Sequence, residues 1–337
     1  MLRIAHLVDD TNPGGVTRYL DFLASDPGMA ELAHHQIVVV PRNRPARVAV
    51  EADVIVSHLA ISWRGLPGLM SLRARHSGIP LIHVEHSYSA GFVTANVKAR
   101  RRFHTLLRTA YALFERVVAV SHAQANWLLQ RDLVQNDVLS VIQPQVDLTR
   151  LRALPRPSGP IRTIGAIGRL DRQKGFGPLI RAFRELEGKD LRLRIFGDGP
   201  ERETLERLAG DDPRIRFEGF VADPCEAYGS CDAIVMPSRW EPYGLVAAEA
   251  LAAGRTVMVS GVDGLMDHVA TGAHYFGAPT IENLRKALMD TCKESQPTEV
   301  IHEVGPLHPG LAVQWRQLLF KTLPNLSISG RVADATS

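Results

Sequence analysis

The sequence predicts an α/β protein made of two doubly wound units, each built on a parallel sheet. Short runs rich in β-branched residues alternate with longer amphipathic segments, which is typical of strands joined by crossover helices. The alternation occurs in two successive series, and a proline-rich stretch separates them. A chain of 337 residues is long enough for two domains that each bury a core.

The first series lies before residue 122. Its predicted strands are 3–8, 36–40, 54–57, 81–85 and 117–121, and its amphipathic segments include 15–24 and 66–76. Each predicted strand ends in polar or turn residues. In open parallel sheets the ligand lies outside the carboxyl ends of the strands, so we expect functional groups to follow these ends.

The second series predicts strands at 163–167, 191–196, 215–217, 233–236 and 256–260. Between the series, residues 151–160 contain three prolines and a glycine, which break any continuing element and suit a linker. We therefore divide the chain into a first domain at 1–155, a second at 156–310 and a C-terminal part at 311–337. That last part is expected to form a helix at 311–323 followed by a frayed tail. Two such sheets facing each other would enclose a cleft.

The composition excludes several classes of protein. Hydrophobic residues make up 45% and charged residues 22%, which is typical of a folded globular chain and not of a disordered or fibrous one. The three cysteines, Cys225, Cys231 and Cys292, lack a disulfide-framework or metal-type spacing, which favours a reducing compartment. The first ten residues do not resemble a signal peptide, and no run of eighteen apolar residues occurs. We expect a cytoplasmic protein whose membrane contact, if any, is peripheral.

Positive charge is concentrated in the first half. Residues 1–160 carry 18 Lys and Arg against 12 Asp and Glu, although the whole chain has a net charge of +3. In the stretch 98–114, Arg100, Arg101 and Arg102 begin an amphipathic segment. Its apolar stripe consists of Phe103, Leu106, Leu107, Ala110, Leu113 and Phe114. Such a helix can lie on an anionic bilayer or bind a phosphorylated acceptor. The alternative is a helix that packs in the core and has a solvated charged end.

The densest motif is residues 237–254, which reads as a loop and a helix directly after the predicted strand 233–236. Residues 245–253 favour a helix strongly, and Gly254 supplies its C-terminal stop. The backbone NH groups of Tyr243, Gly244, Leu245 and Val246 then lie at a helix start without intrahelical partners. Such donors, at the positive end of the helix dipole, favour a phosphate site.

Two glutamates, Glu241 and Glu249, flank the start of this helix. Eight helical residues rise about 12 Å, so the pair is not placed to act on a single glycosidic bond as glycosidase carboxylates do at about 5–10 Å. One carboxylate would meet a sugar hydroxyl and the other a second group of a long ligand. The alternative is two solvated glutamates beside an ordinary helix.

The segment Glu241-Pro-Tyr-Gly-Leu-Val-Ala-Ala-Glu249 resembles the E-x7-E segment of retaining glycosyltransferases of the GT-B fold, most closely those of family 4. Three further segments agree in order and spacing: Ile167-Gly-Arg169-Leu-Asp-Arg-Gln-Lys174, Phe196-Gly-Asp-Gly-Pro-Glu201 and the pair Gly14-Gly15. The resemblance covers most of residues 1–270. It implies two Rossmann-like domains facing across a cleft and the transfer of a sugar from a nucleoside diphosphate sugar, a UDP- or GDP-sugar, with retention at the anomeric carbon.

The resemblance also implies a role for each matching residue. Arg169 and Lys174 would clamp the diphosphate, Glu249 would accept hydrogen bonds from the ribose, and Glu241 would hold a hydroxyl of the donor sugar. The base would lie against Gly197 and Val221, the backbone of 243–246 would meet sugar and phosphate, and Gly14 and Gly15 would allow close approach of a ligand. His86 would lie near the reacting sugar, with His83, Glu85 and His122 as neighbouring candidates. The alternatives are a solvated basic loop, a structural histidine and a plain tight turn.

Several other kinds of nucleotide and metal site are excluded because their sequence motifs are absent. The chain contains no P-loop motif, no third glycine of a dinucleotide fingerprint after Gly197, and no Asp-x-Asp metal motif. We therefore expect metal-independent chemistry and no cofactor beyond the donor substrate. The expected acceptor is a glycan or a lipid-linked sugar, as in cell-surface polysaccharide or glycolipid synthesis, and no nucleic-acid partner is expected. An epimerase or hydrolase on the same scaffold and a non-catalytic binding protein are the alternatives.

The chain departs from the family pattern at two places. The usual N-G-V-D before the linker is replaced by Gln143-Pro-Gln-Val-Asp147, so the turn must be built differently. The glutamate that usually follows the motif helix is replaced by Asp267, which is one methylene shorter. The resemblance also implies that the C-terminal helix, expected around 311–323, crosses back towards the first domain.

Overall fold

A computed structural model of the protein describes residues 1–12, 14–293 and 310–323. The described residues form two parallel sheets of six strands each, with helices packed against them. The predicted fold class, two doubly wound α/β units, is confirmed.

The first unit contains these elements: β1 (Leu2–Val8), α1 (Gly15–Ser25), α2 (Pro27–Leu32), β2 (Ala33–Val39), β3 (Val54–Ser57), α3 (Leu66–Arg75), β4 (Leu81–Glu85), α4 (Ala90–Asn96), α5 (Arg100–Tyr111), β5 (Arg116–Ala119), α6 (His122–Gln130) and β6 (Leu139–Val141). A 3-10 turn at Pro45–Arg47 lies between β2 and β3. The strand order is β2-β1-β3-β4-β5-β6, so the chain leaves β1 towards one side and returns at β3 on the other.

A short helix, α7 (Thr149–Arg152), leads into the second unit. Its elements are β7 (Thr163–Ile167), α8 (Phe176–Arg184), β8 (Arg192–Phe196), α9 (Arg202–Ala209), β9 (Ile215–Gly219), α10 (Pro224–Gly229), β10 (Ala233–Met236), α11 (Leu245–Ala252), β11 (Thr256–Val259), β12 (His274–Tyr275) and α12 (Ile281–Lys293). A 3-10 segment, Asp263–Thr271, follows β11. The strand order is β12-β11-β10-β7-β8-β9.

The central strands explain the apolar runs in the sequence. Every residue of β3, β4, β10 and β11 is buried, because helices cover both faces of each sheet. Apolar side chains fill the space between sheet and helices in separate clusters on the two faces of each sheet. The apolar stripe of α5 belongs to one of these clusters, with Leu106, Leu107 and Ala110 nearly inaccessible to water. The core therefore buries this face of the helix, and the four arginines of α5 lie on its exposed face together with Thr105 and Thr109.

The last described helix, α13 (Leu311–Thr322), packs on the first unit. Trp315 is fully buried there, and its Nε1 donates a hydrogen bond to the hydroxyl of Tyr19 at 3.2 Å. The predicted tail beyond residue 327 lies outside the described residues. Within the described ranges, no helix is both long and apolar enough to cross a bilayer.

The elements differ from the predicted ones in a few places. The second strand begins at Ala33 and not at residue 36, and β6 and β12 were not predicted. The proposed linker is wrong at its first two residues, because α7 continues to Arg152. Leu151 is buried against the cluster that contains Tyr228, and this packing holds the helix in place.

Candidate functional site

The candidate site lies where the carboxyl ends of β7 and β10 meet. These strands are neighbours, and β7 is also paired with β8, so the strand order reverses at β7. A crevice at such a reversal is the usual ligand site of open parallel sheets. The loop 168–175 follows β7 and the loop 237–244 follows β10, which places the two predicted motifs side by side.

The two loops are joined by backbone hydrogen bonds. The NH of Arg239 donates to the carbonyl of Gln173 at 2.7 Å, and Gln173 Nε2 donates to the carbonyl of Trp240 at 3.1 Å. Gly175 has a left-handed backbone at φ 69°, and a β-carbon there would lie 2.1 Å from the carbonyl oxygen of Pro237. Only glycine fits this contact, so the glycine after Lys174 lets the two loops approach.

Lys174 and Glu241 form an ion pair across the two loops. Lys174 Nζ lies 2.5 Å from Glu241 Oε2, and the side chains are 18% and 10% exposed. The Ser238 hydroxyl donates to the same carboxylate oxygen at 3.2 Å. Both charges are largely removed from water and compensate each other, which is the condition under which a buried ion pair is tolerated.

The start of α11 offers unpaired backbone donors. Gly244 precedes the helix with a left-handed backbone at φ 96°, and no side chain of the described residues caps the helix start. A β-carbon at Gly244 would lie 2.6 Å from Leu265 Cδ2, so a larger residue would collide with the core. Across the interdomain space, a β-carbon built on Gly15 would lie 3.3 Å from Leu245 Cδ1. The α11 start therefore faces the loop after β1 and can receive an anion there.

Glu249 lies further along α11 and is almost fully buried, with 1% of its surface exposed. The hydroxyl of Tyr228 donates to Glu249 Oε2 at 2.7 Å, and Arg18 Nη2 donates to Oε1. Arg18 belongs to α1 of the first unit, so this ion pair joins the two units. Burial lowers the pKa of Arg18, but the hydrogen bond and charge of Glu249 outweigh burial and raise it. Arg18 therefore stays positively charged beside this carboxylate.

Arg18 was not predicted as a site residue. The sequence contained one relevant signal, since Arg18 follows the Gly14-Gly15 pair by one helical turn. Gly14 itself precedes α1, and the Arg18 NH donates to its carbonyl oxygen at 3.1 Å.

Asp263 is a second residue beside the candidate site that was not predicted from the sequence. Its carboxylate accepts hydrogen bonds from the Ser89 hydroxyl at 2.7 Å, the Gly91 NH at 2.9 Å and the Glu241 NH at 3.1 Å. Burial raises the pKa of this carboxyl group. Asp263 thus connects the start of α4 in the first unit with the loop that carries Glu241.

Asp267 makes the corresponding contact at the start of α6. It accepts hydrogen bonds from the His122 NH at 2.7 Å, the Ala123 NH at 3.3 Å and Gln143 Nε2 at 2.8 Å. Gln143 and Asp267, which belong to the two places where the chain departs from the family pattern, are therefore hydrogen-bonded to each other. An acidic side chain at a helix start is favourable because the helix dipole is positive there.

His86 follows β4 on the opposite side of the cleft and is half-buried. Its Nε2 lies 2.9 Å from His58 Nδ1. The carboxylate of the neighbouring Glu85 already accepts hydrogen bonds from Tyr111, Ser87, Tyr88 and His83. His83 is buried, and His122 lies at the start of α6. The ring of His86 forms no ion pair with a carboxylate among the described residues, and its one side-chain hydrogen bond there is the one to His58.

The remaining predicted residues lie at the rim. Arg169 is the most exposed, with 74% of its side chain accessible, and its Nε lies 3.9 Å from Asp171. The Gly197 NH donates to the carbonyl of Gly219 at 2.7 Å, and Val221 is half-buried in the loop after β9. The structure therefore brings together Lys174, Glu241, the α11 start and Glu249, and it leaves Arg169 outside their contact network.

Comparison with known proteins relates both halves of the chain to described families. Residues 161–294 match the family described as Glycosyl transferases group 1, and residues 36–150 match Glycosyltransferase Family 4. D-inositol 3-phosphate glycosyltransferase of Arthrobacter sp. strain FB24 is 32% identical over 269 residues, which covers 72% of this chain and 62% of the relative. 2-Deoxystreptamine glucosyltransferase of Streptomyces kanamyceticus is 36% identical over 146 residues, covering 41% and 37%. The chain spans less than two thirds of the length of these curated relatives.

Solved structures are similar over almost the whole chain. Anabaena HepE, solved with UDP and glucose, has a TM-score of 0.70 and 19% identity, with 97% of this chain and 100% of that chain covered. The lipopolysaccharide outer core galactosyltransferase WaaB has a TM-score of 0.67 and 14% identity, with 96% and 100% covered. At these identities the similarity concerns the fold.

Proposed function

Because the chain has the GT-B fold and both of its halves match glycosyltransferase families, we propose that it transfers a sugar from a nucleoside diphosphate sugar to an acceptor. We further propose that the configuration at the anomeric carbon is retained, as the resemblance of the Glu241–Glu249 motif implies. The observation that carries this proposal is the Lys174–Glu241 ion pair beside the uncapped start of α11.

The chemistry of transfer suits this arrangement. When the bond from the anomeric carbon to the diphosphate breaks, negative charge develops on the departing oxygens. Groups that bind the diphosphate more tightly as this additional charge develops lower the barrier. We propose that Lys174 and the backbone NH groups of residues 243–246 act as such groups, and that the exposed Arg169 joins them. Charge-assisted hydrogen bonds of this kind contribute about 1.5–3 kcal/mol each.

We propose that these protein groups act without a metal ion. The acceptor hydroxyl oxygen attacks the anomeric carbon on the face that the diphosphate leaves. One carbon–oxygen bond forms, one breaks, and the hydroxyl proton passes to an oxygen of the departing diphosphate. Glu241 would hold a sugar hydroxyl, Glu249 the ribose, and His86 would lie near the reacting sugar. Gly197 and Val221 would border the base.

The donor is proposed to be a UDP-sugar, because HepE was solved with UDP and glucose and with UDP-glucose. A panel of UDP- and GDP-sugars tests this, since a ligand that binds only the folded protein raises the melting temperature. We expect one UDP-sugar to stabilise the protein and to be turned over.

Replacing Glu241 by Ala tests the catalytic part of the proposal. We expect turnover of the stabilising donor to fall by about 100-fold or more, because Lys174 loses its partner and the donor sugar loses a contact. Product analysis distinguishes the alternatives: an epimerase returns an intact nucleotide sugar without acceptor, and a hydrolase releases free sugar. If parent and variant both bind nucleotide without turnover, the protein is a binding protein and the enzyme proposal is wrong.

A basic pocket on the first unit favours an anionic acceptor. Arginines surround an open space of about 640 Å³ between the loop after β2 and the start of α3; they are Arg44, Arg47, Arg64 and Arg75. None of the four forms an ion pair within the described residues, and Arg75 donates to the carbonyl of Ala46. We propose that this pocket binds a phosphate or carboxylate of a glycan or lipid-linked acceptor, as in cell-surface glycan synthesis.

A second basic surface lies nearby on α5. Arg102 lies over the ring of Trp63 at 5.3 Å, next to Arg64. Because the apolar stripe of α5 is buried, contact with a membrane would depend on charge and would contribute about 1 kcal/mol per basic residue. Such a contact would make the protein a peripheral one on the inner face of the plasma membrane.

Two triple variants of equal charge change separate these surfaces. Changing Arg44, Arg47 and Arg64 to Gln is expected to weaken binding of inorganic pyrophosphate at least about tenfold, measured by calorimetry with the nucleotide site saturated. Changing Arg100, Arg101 and Arg102 to Ser is expected to leave that affinity unchanged and to reduce sedimentation with anionic vesicles. Equal effects of both variants on both measurements would indicate general charge attraction and would contradict a defined acceptor pocket.

A further inference from the structure

Four histidine rings form a continuous row across the first sheet. His35 Nδ1 lies 3.0 Å from His6 Nε2, His6 Nδ1 lies 2.9 Å from His58 Nε2, and His58 Nδ1 lies 2.9 Å from His86 Nε2. We call these four residues the histidine row. Its outer end is half-buried on β2, and its inner end is His86 at the cleft.

The sheet order creates the row. The strands β2, β1, β3 and β4 are adjacent, and one ring comes from each strand or from the residue directly after it. The ring centroids are 5.3, 5.2 and 5.1 Å apart, close to the spacing of about 4.8 Å between neighbouring strands. His6 and His58 are buried, so their ring nitrogens need hydrogen-bond partners, and each finds them only in the row among the described residues.

A single backbone carbonyl gives the row a direction. His35 Nε2 lies 3.2 Å from the carbonyl oxygen of Met29, which can only accept, so this nitrogen carries the proton. In a neutral ring, Nδ1 of His35 then accepts from His6 Nε2. The same reasoning assigns the next two bonds. His58 Nε2 donates to His6 Nδ1, and His86 Nε2 donates to His58 Nδ1. Nδ1 of His86 is left as an acceptor, and no described residue donates to it.

The rings are neutral at physiological pH. Burial lowers the pKa of His6 to about 3, and that of His35 and of His86 to about 4. Burial and the neighbouring histidines also lower the pKa of His58 well below its ordinary value. His34 and His83 disfavour protonation of His35 and His86 respectively, while Glu85 opposes this effect at His86.

We propose that His58, His6 and His35 are positioning residues that hold His86 in the tautomer with a bare Nδ1, so that it accepts a hydrogen bond from a hydroxyl of the bound sugar. This role rests on the proposed function. In the opposite tautomer, His86 would present an NH to the cleft and could only donate. The proton on His35 Nε2 therefore decides, through the row, whether His86 accepts or donates a hydrogen bond in the cleft.

Nitrogen-15 NMR of histidine-labelled protein at neutral pH tests the row without requiring activity. We expect Nε2-protonated rings at all four positions. In His35→Leu the row loses its fixed end, and we expect a mixture of tautomers at His86. His35→Gln keeps a donor for Met29 and an acceptor for His6, and we expect it to restore the single tautomer. His34→Leu removes an exposed neighbouring histidine and serves as the control.

Transfer kinetics provide the second measurement. We expect kcat/KM of His35→Leu to fall about two- to tenfold, the range of one neutral hydrogen bond, with unchanged affinity for the free nucleotide and recovery in His35→Gln. A protonated Nδ1 on His86 in the parent protein would overturn the proposal, and so would a His35→Leu variant with unchanged tautomers. If the tautomers are as expected but the protein transfers no sugar, the proposed function is wrong and the assignment of the row still holds.

Discussion

Lys174→Met is expected to reduce the rate of sugar transfer by about 1,000-fold, the largest effect of any single change in this chain. Methionine is similar in length to lysine and keeps the contacts of the alkyl chain, so the substitution removes mainly the positive charge. The departing diphosphate loses its most buried cationic contact. Glu241 is 10% exposed and loses its ion-pair partner, which leaves an uncompensated carboxylate.

The same substitution is expected to lower the free energy of unfolding by about 3 kcal/mol, since breaking one side of a buried ion pair leaves the other charge unpaired. Calorimetry measures the decrease in the free energy of unfolding, and initial rates at saturating donor measure the decrease in the rate of sugar transfer. The matched control is Lys189→Met, because Lys189 is exposed and forms no ion pair among the described residues. A Lys174→Met protein that keeps a tenth of the parental rate would show that Lys174 does not hold the diphosphate.

Glu249→Gln is expected to weaken nucleotide binding by about 10- to 100-fold. The amide keeps the size of the side chain and an oxygen for the hydroxyl of Tyr228, but it removes the charge that pairs with Arg18. If Glu249 binds the ribose as proposed, two charge-assisted hydrogen bonds become neutral ones, and each is weakened by about 1 kcal/mol. Titration calorimetry with the free nucleoside diphosphate measures the change.

Arg18→Met separates the two roles of Glu249. If the ion pair only joins the domains, Arg18→Met and Glu249→Gln should weaken binding equally, and the double variant should add little. If Glu249 also contacts the nucleotide, Glu249→Gln should have the larger effect. Glu203→Gln, on the exposed face of α9, is the control for loss of one negative charge. Unchanged affinity in Glu249→Gln would remove this residue from the nucleotide site.

Local patterns in the sequence were sufficient to predict the central strands of the second unit and its motif at 237–254. The loop and helix at 237–254 are adjacent in the chain, and turn chemistry and helix propensity predicted both. The strands were recognisable because they are apolar on both faces. The short strands β6 and β12 were missed, since three half-buried residues and a two-residue strand leave almost no periodic signal.

Contacts between distant parts of the chain could not be predicted. Arg18 and Glu249 are 231 positions apart, and only the docking of the two units brings them together. Asp267 and Gln143 each looked like an unrelated departure from a pattern, although they hydrogen-bond to each other. The histidine row could not be predicted either, because its members lie on or directly after four strands whose order in space differs from their order in the chain.

The segment Asp263–Thr271 has a consequence for how the halves of the molecule come apart. Asp263 contributes two hydrogen bonds and Asp267 three to residues of the first unit. All five originate within five consecutive residues, so a displacement large enough to break one breaks the others with it. Because the five hydrogen bonds share one short segment, we expect separation at this corner to be cooperative and to expose the amino ends of α4 and α6 together.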